Sequence, residues 1–396
     1  MPPVYIGVPT KHYRYLEIET KGSGPVEVVT GLKINRKQLS CPRCGSDRLR
    51  SKGIYRRRAK HLSLFGKESY LTVLLRRYRC VECRKSFTPE TPGLKPGRRS
   101  TEPLRQELAH LHHEGIPQSA LARMNKMSDA SIERFYAEYN QRKAAERLTH
   151  QCPMVLGIDE HTLHKKQRFA TTFCDLRNHK VFDVVPGKSE KELLSFLASL
   201  KGRERVKIVC IDLSSSYRKI VRKWFPNAKI VSDRFHVIRL IQHHFLTLFR
   251  ELVPALADER GIFRLLRKKP KNLLPEQVLK LKALFLLHPV LKPVYDQMQR
   301  VRRLFSQKTK TKAQCRPLAH LFTRILEQLE DSLFQPMLTL AETLRSWAEP
   351  LARMWRFSKN NGITEGFHRK MKLIQRRAYG FRNFNNYRLR VVAHCG

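Results

Sequence analysis

The stretch MVLGIDEHTLHKKQRFATTFCDLRNHKVFDVV, Met154 to Val185, decides the fold together with KIVCIDLSSSYRKIVRKWFPNAKIVSDRFH, Lys207 to His236. Short runs rich in β-branched residues, separated by turn formers, predict three strands of a meander over Val155–Ile158, Phe169–Cys174 and Val181–Val185. Leu193, Leu194, Leu197 and Leu200 then keep helical spacing, and Lys207-Ile-Val-Cys-Ile211 reads as a strand buried on both faces. A β-β-β-α-β order predicts an α/β sheet. Asp159 and Asp212 each stand where a predicted strand stops. Placing those two strands side by side brings both carboxylates to one edge, where they could share a divalent cation. Beyond Asp212, Ser214 opens a helix that Phe225-Pro-Asn ends, Ala228–Val231 is a further strand, and Asp233-Arg-Phe-His236 begins a long helix through Arg250.

Working outward, 396 residues exceed what one core usually takes, so several domains are expected. The charge is the dominant bulk property: 78 Lys and Arg against 34 Asp and Glu give +44, with a pI near 10.4. Such a surface seeks polyphosphate, though an acidic membrane surface could also attract it. No run of 18 apolar residues suggests a membrane span, and Met1–Thr10 has no charged-then-apolar signal, so a cytoplasmic, nucleoid-associated protein is expected. Of nine cysteines, Cys152, Cys174, Cys210, Cys315 and Cys395 are scattered, which suits a reducing compartment.

The other four make two C-x2-C pairs, Cys41/Cys44 and Cys80/Cys83, with 35 residues between them. Two thiolates on each tight turn and four together favour a closed structural Zn2+ site. The intervening Ser51–Arg79 alternates basic and apolar residues, as expected for ribbon strands, and its Arg56-Arg-Arg58 could track phosphates or be a solvated face. Tyr13-Arg-Tyr-Leu-Glu-Ile-Glu suggests a strand or two ahead of the knuckles. Pro89 to Gly97, with three prolines and two glycines, reads as a linker.

Thr101-Glu-Pro supplies a cap and an opening proline for a helix carrying Leu104, Leu108 and Leu111 until Gly115 stops it. Ser119–Met124 and Ser128–Tyr139 follow as a short and a longer helix. This is the pattern of a helix-turn-helix, in which small polar side chains such as Ser128 and Ser131 meet base edges while the helix dipole and Lys126 or Arg123 meet phosphate, with Arg134 a further DNA-binding candidate. His110, His112 and His113 read as a solvated face. From about Leu252 to Pro350 Leu-rich helical segments broken by prolines predict an all-helical insertion. At Asn361-Gly-Ile-Thr-Glu365 a turn and a cap at Thr364 lead into a helix crowded with Arg369, Lys370, Lys372, Arg376 and Arg377. Glu365 there is either half of a surface ion pair or a third metal ligand among bases that hold a phosphodiester.

The knuckles, the helix-turn-helix, Gly157-Ile-Asp159-Glu, Ile211-Asp212, Phe225-Pro-Asn-Ala, Asp233-Arg-Phe-His236 and Asn361-Gly-Ile-Thr-Glu365-Gly together resemble the bacterial insertion-sequence transposases of the ISL-three family, from about Cys41 to Arg390. The resemblance implies an α/β, RNase H-like mixed sheet flanked by helices, interrupted by a helical insertion before the last acid. Segments 1–97 (zinc ribbon), 98–150 (helix-turn-helix), 151–250 and 351–396 (catalytic) and 251–350 (insertion) follow from it. It also implies a DDE transposase whose partner is double-stranded DNA, which it cleaves at the element's inverted repeats and joins to target DNA, assembled as a homo-oligomer on paired ends. Asp159 and Glu365 match the first and last acids. Asp212 or Asp233 could be the middle one; the strand count favours Asp212, with Asp233 and His236 as neighbours. Two Mg2+ ions about 4 Å apart are expected on these acids. A DNA-binding regulator without catalysis is the alternative, distinguished by salt-sensitive binding without strand breakage.

Overall fold

The structure is a computed structural model describing residues 12–20, 24–34, 39–164, 168–256, 258–357 and 362–396. It divides into two units, Met1–Lys143 and Ala144–Gly396.

In the first unit, β1 (Tyr13–Thr20), β2 (Val26–Leu32), β3 (Leu49–Leu64), β4 (Lys67–Cys80) and the short β5 (Ser86–Phe87) form one sheet, ordered β1-β2-β4-β3 with β5 on β4. The long β3–β4 hairpin turns at Phe65-Gly66, both with positive φ, the backbone twist that tight hairpins favour. Its register sets Leu49 opposite Cys80, so the 35-residue gap folds back and returns the second knuckle to the first. Pro89–Gly97 is no free linker: Leu94 is buried in the core of this sheet, and the Arg57 guanidinium donates to the carbonyls of Leu94, Lys95 and Arg98. Three helices follow, α1 (Glu102–Glu114), α2 (Gln118–Met124) and α3 (Asp129–Arg147), closing on Leu104, Leu108, Leu121, Ile132 and Phe135. Thr101 does stand at the N-cap of α1, but its side chain caps nothing; the hydroxyl lies 2.8 Å from His61 Nδ1 instead.

In the second unit β6 (Val155–His164), β7 (Arg168–Asp175) and β8 (Lys180–Pro186) are the antiparallel meander. Helix α4 (Glu190–Ser199) crosses to β9 (Ile208–Ile211), α5 (Ser215–Trp224) to β10 (Lys229–Ser232), and the long α6 (Arg234–Leu252) follows. Ser189 and Glu192 close a capping box on α4, and Ser214 caps α5, as small polar residues before apolar helices should. Both β9 and β10 run parallel to β6, giving the order β10-β9-β6-β7-β8. The even residues Leu156 and Ile158 join Leu193, Leu197, Tyr217 and Val221 on one face. On the other face Ala170, Cys174, Val181 and Cys210 meet Met371, Tyr387 and Val391.

The helical segment comprises α7 (Arg260–Leu266), α8 (Pro275–Leu287), α9 (Leu291–Ser306), α10 (Lys312–Glu330), α11 (Gln335–Ser346) and α12 (Ala348–Arg356), without a strand among the described residues. It shares one continuous apolar core with α6. Helices α13 (Gly362–Arg377) and α14 (Phe384–Cys395) return the chain to the sheet. Asn361, half of the expected turn, lies outside the described residues. Thr364 is not a cap: it lies inside α13 and is buried. No helix of the described residues is long and apolar enough to cross a membrane.

Candidate active site

Parallel pairing sets Gly157 opposite Cys210; Asp159 lies two residues further along β6, and Asp212 stands just past the end of β9. Side chains alternate with period two along β6, so Asp159 takes the face of Gly157, and the charge of Asp212 acts on it from the end of the neighbouring strand. The Asp233 amide donates to the Ile211 carbonyl at 2.7 Å, which puts the third aspartate beside Asp212. Three carboxylates thus stand in a row where β6, β9 and β10 run side by side. In open α/β sheets the crevice beyond the carboxyl ends of the strands is where ligands bind.

One expectation needs correction. Asp159 does not end its strand: β6 continues to His164, paired with β7 through Asp159↔Thr172 and Thr162↔Phe169. Glu160-His-Thr-Leu-His contains no glycine or proline, and the β7 partner strand supplies its hydrogen bonds, so nothing stops the ladder. Asp159 is only 8% exposed. Burial, with the charges of Asp212, Asp233 and Glu160 behind it, pushes its carboxyl to about 7, against the Glu160 amide that donates to Oδ1 at 2.9 Å. Burial also raises Asp212, with the adjacent His236 opposing. These shifts are what crowding acids away from water produces.

The two candidates for the middle acid differ in what they already do. Asp233 caps α6, accepting the Phe235 amide at 3.5 Å, and stands 3.7 Å from His236 Nε2. Asp212 has a buried Oδ1 with no hydrogen-bond partner. A buried acceptor without a donor is costly unless something else satisfies it. Arg234, next to Asp233, is buried and donates to the carbonyls of Phe305, Gln307 and Met354, so it ties the ends of α9 and α12 to the start of α6.

Glu365 lies in the first turn of α13 and pairs with Arg369 at 3.0 Å. One turn on, His368 approaches Asp159, Nδ1 to Oδ2 3.7 Å, and its Nε2 lies 3.1 Å from the Thr172 hydroxyl. Thr172 is also 3.0 Å from His161 Nδ1, and His161 Nε2 is 2.8 Å from the Tyr387 hydroxyl. Burial, then Lys372, holds His368 down at about 4, while Glu365 pulls the other way; burial, then His368, holds His161 down at about 3. Both rings are therefore neutral near pH 7. His368 was not singled out in the sequence, although its i, i+3 spacing from Glu365 puts both on one side of a helix.

Among the described residues, the one group of three or more potential ligands drawn within 4.8 Å of each other is Cys41, Cys44, Cys80 and Cys83. The Cys41–Cys83 and Cys44–Cys80 sulfurs are 3.4 and 3.6 Å apart, close to the roughly 3.8 Å edges of a tetrahedron with Zn–S bonds of about 2.3 Å. These four thiols fit a structural zinc ion.

The proposed base-reading residues lie at the exposed start of α3. Ser128 Oγ is 3.0 Å from Ser131 Oγ, Arg134 donates to Ser131, and Lys126, at positive φ, extends near Glu68 at 3.6 Å. His112 and His113 are not a solvated face: their rings pack against Tyr136 and Tyr139 at 4.5 and 5.3 Å. On the ribbon, Arg58 pairs with Glu27. Arg376 and Arg377 end α13, and Lys372 and Arg369 precede them on the same helix.

A mixed sheet in this order, with acids at its parallel edge and a zinc ribbon ahead of it, defines a zinc-ribbon protein with an RNase H-like domain. A profile of DDE transposases of the ISL3 type, described as transposase, matches residues 156–391, more than half the chain, and the chain belongs to that family. A second profile, described as the zinc-finger of transposase IS204/IS1001/IS1096/IS1165, matches residues 37–83. The transposase for insertion sequence element IS1001 from Bordetella parapertussis is 26% identical over 373 residues, covering 91% of this chain and 90% of that protein.

Proposed function

We propose that this transposase cleaves DNA at the inverted-repeat ends of an insertion sequence and transfers the freed strand to target DNA, using Asp159, Asp212 and Glu365 as its catalytic acids. The observation that supports the reading is the parallel pairing of β6 and β9, Gly157 opposite Cys210, which brings Asp159 and the Asp212 just past β9 close enough for their charges to act on one another, with Glu365 on α13 near the His368 that lies 3.7 Å from Asp159. Asp212 is taken as the middle acid because its Oδ1 is buried and unsatisfied while Asp233 is engaged as a helix cap. Oxygen-only donors suit Mg2+, and the unsatisfied Asp212 oxygen is the fit expected of such a ligand.

Bound there, two divalent cations would activate water or a 3′-hydroxyl and stabilise the leaving oxygen. The protein's own part is placement and charge. The Glu160 amide and His368 orient the Asp159 carboxylate. The chain of Thr172, His161 and Tyr387 fixes the His368 ring. Arg369, Lys372, Arg376 and Arg377 on α13, with Lys126, Ser128, Ser131 and Arg134 at α3, would hold the DNA, the former by phosphate contact. The protein would act in the cytoplasm on nucleoid DNA, as a multimer on paired ends.

The test uses duplexes carrying the inverted repeats that flank the gene. Wild type should nick them in Mg2+ and join them to a target, and Asp159→Asn should do neither while still binding. Nicking by Asp159→Asn would defeat the reading, and salt-sensitive binding without any divalent-dependent nicking would favour a DNA-binding regulator.

A further inference from the structure

Beside the carboxylates, at the far end of the β6–β7 ladder, lies a cleft of about 460 Å³ lined by Phe169, Lys188, Phe381, Arg382, Phe384 and Tyr387 among others. That volume falls within the range of small-ligand sites, roughly 300–1,000 Å³. Its walls are aromatic: the Tyr387 ring centroid lies 5.2 Å from Phe381 and 5.9 Å from Phe384. Cations sit on those rings, Lys188 Nζ at 4.0 Å above Phe169 and the Arg390 guanidinium 5.2 Å above Phe381. The rim is the α13–α14 connection, where Tyr379 and Gly380 turn the chain at φ 50° and 97°.

Position relates the cleft to the acids. Thr172 is paired with Asp159, and Phe169 is three residues further along β7, roughly 10 Å at the rise of an extended strand. That is about three base-pair steps of a duplex at about 3.4 Å each. Tyr387 connects the two sites directly, through His161 at 2.8 Å, whose ring centroid is 5.1 Å from that of His368. Flat apolar walls with cations at the mouth are complementary to a planar group with a π-face attached to an anionic backbone. In a chain of net charge +44, the molecule of that description is nucleic acid, and the fitting part is a base removed from its stack.

We propose that this cleft receives one unpaired nucleobase of the DNA held at the carboxylates, stacked on Phe381 and Phe169 with Lys188 and Arg382 on its flanking phosphates. The inference rests on the transposase reading and assigns a site to Phe169, Lys188, Phe381 and Arg382, which the cleavage chemistry does not use.

The full-length protein is titrated with a duplex of random sequence and with the same duplex carrying one unpaired 5-iodouracil nucleotide. Wild type should bind the second about tenfold more tightly, since stacking a base on an aromatic ring is worth that order. Phe381→Ala and Lys188→Ala should each erase most of the preference. Irradiation of the wild-type complex should crosslink the iodouracil to Phe169 or to residues 379–387. Equal affinity for both duplexes, a crosslink elsewhere in the chain, or a preference intact in Phe381→Ala would overturn the proposal. So would a change in sedimentation of Phe381→Ala in place of a binding change, which would give the cleft to a second copy. Mg2+-dependent nicking of end-bearing duplex needs the acids and not Phe381 or Lys188, so its loss or presence reports on the transposase reading separately.

Discussion

The two candidate metal centres of this chain are built to opposite plans. Around the zinc knuckles, the β3–β4 hairpin brings four sulfurs within 4.8 Å of one another before any ion is considered. Around the acids, the sheet aligns Asp159, Asp212 and Asp233, yet Glu365 is turned to Arg369 and no three acids of the described residues reach that spacing. A structural metal contributes folding free energy and is enclosed by ligands; a catalytic one must leave positions for substrate. The ribbon is assembled by the hairpin register, whereas Asp159 and Asp212 are brought together by parallel strands and Glu365 sits on a helix that follows the insertion.

The largest effect that would sharpen this contrast is removal of zinc. Structural zinc in small domains contributes roughly 10–16 kcal/mol, so Cys80→Ser or a strong chelator should open the ribbon, read as loss of bound zinc and of amide protection at the Cys41–Ser51 and Arg76–Cys83 ends of the hairpin. A ribbon that kept its protection without zinc would show that the hairpin alone holds the knuckles together. Next in size is chemistry: Asp159→Asn or Asp212→Asn should lower nicking roughly a thousandfold, because a metal clamp supplies several kcal/mol and about 1.4 kcal/mol is tenfold in rate. Glu365→Gln should match that loss with stability within about 1 kcal/mol of wild type, since the ion pair it gives up is exposed.

A smaller effect follows from pH. The Asp159 carboxyl, pushed from 3.8 to about 7 in the folded chain, is stabilising while neutral. That contribution is complete below the ordinary carboxylate range and is lost as pH rises through about 7. In cation-free buffer, the melting temperature of wild type should therefore fall relative to Asp159→Asn across that interval, and Mg2+ should reduce the fall. The smallest effect is expected at Asp233: Asp233→Ala removes a helix cap, worth about 1 kcal/mol or roughly 2–4 °C. A complete loss of nicking in Asp233→Asn, with Asp212→Asn active, would exchange their roles.

Much of this was legible in the sequence, for reasons that differ by element. Short β-branched runs such as Ile208–Ile211 can be little other than buried strands, and the strand count alone puts Asp212 at the end of one. The cysteine spacing read as a zinc site because chemistry limits what two C-x2-C turns do. The overrun of β6 past Asp159 was not legible, since its extension depends on hydrogen bonds that β7 provides rather than on the residues of β6. His368 was hidden for a similar reason: only the docking of α13 on the sheet brings it to Asp159. Pro89–Gly97 has the composition of a linker, and the burial of Leu94 comes from the sheet it crosses.

The account rests on Asp159, Asp212 and Glu365 gripping the same pair of cations. Replacing Mg2+ with Fe2+ on the DNA-bound protein and initiating hydroxyl-radical chemistry cuts the polypeptide where the metal sits. Cuts beside residues 159, 212 and 365, suppressed together by excess Mg2+, are the predicted result. Cuts beside 159 and 233 with none near 365 would contradict it.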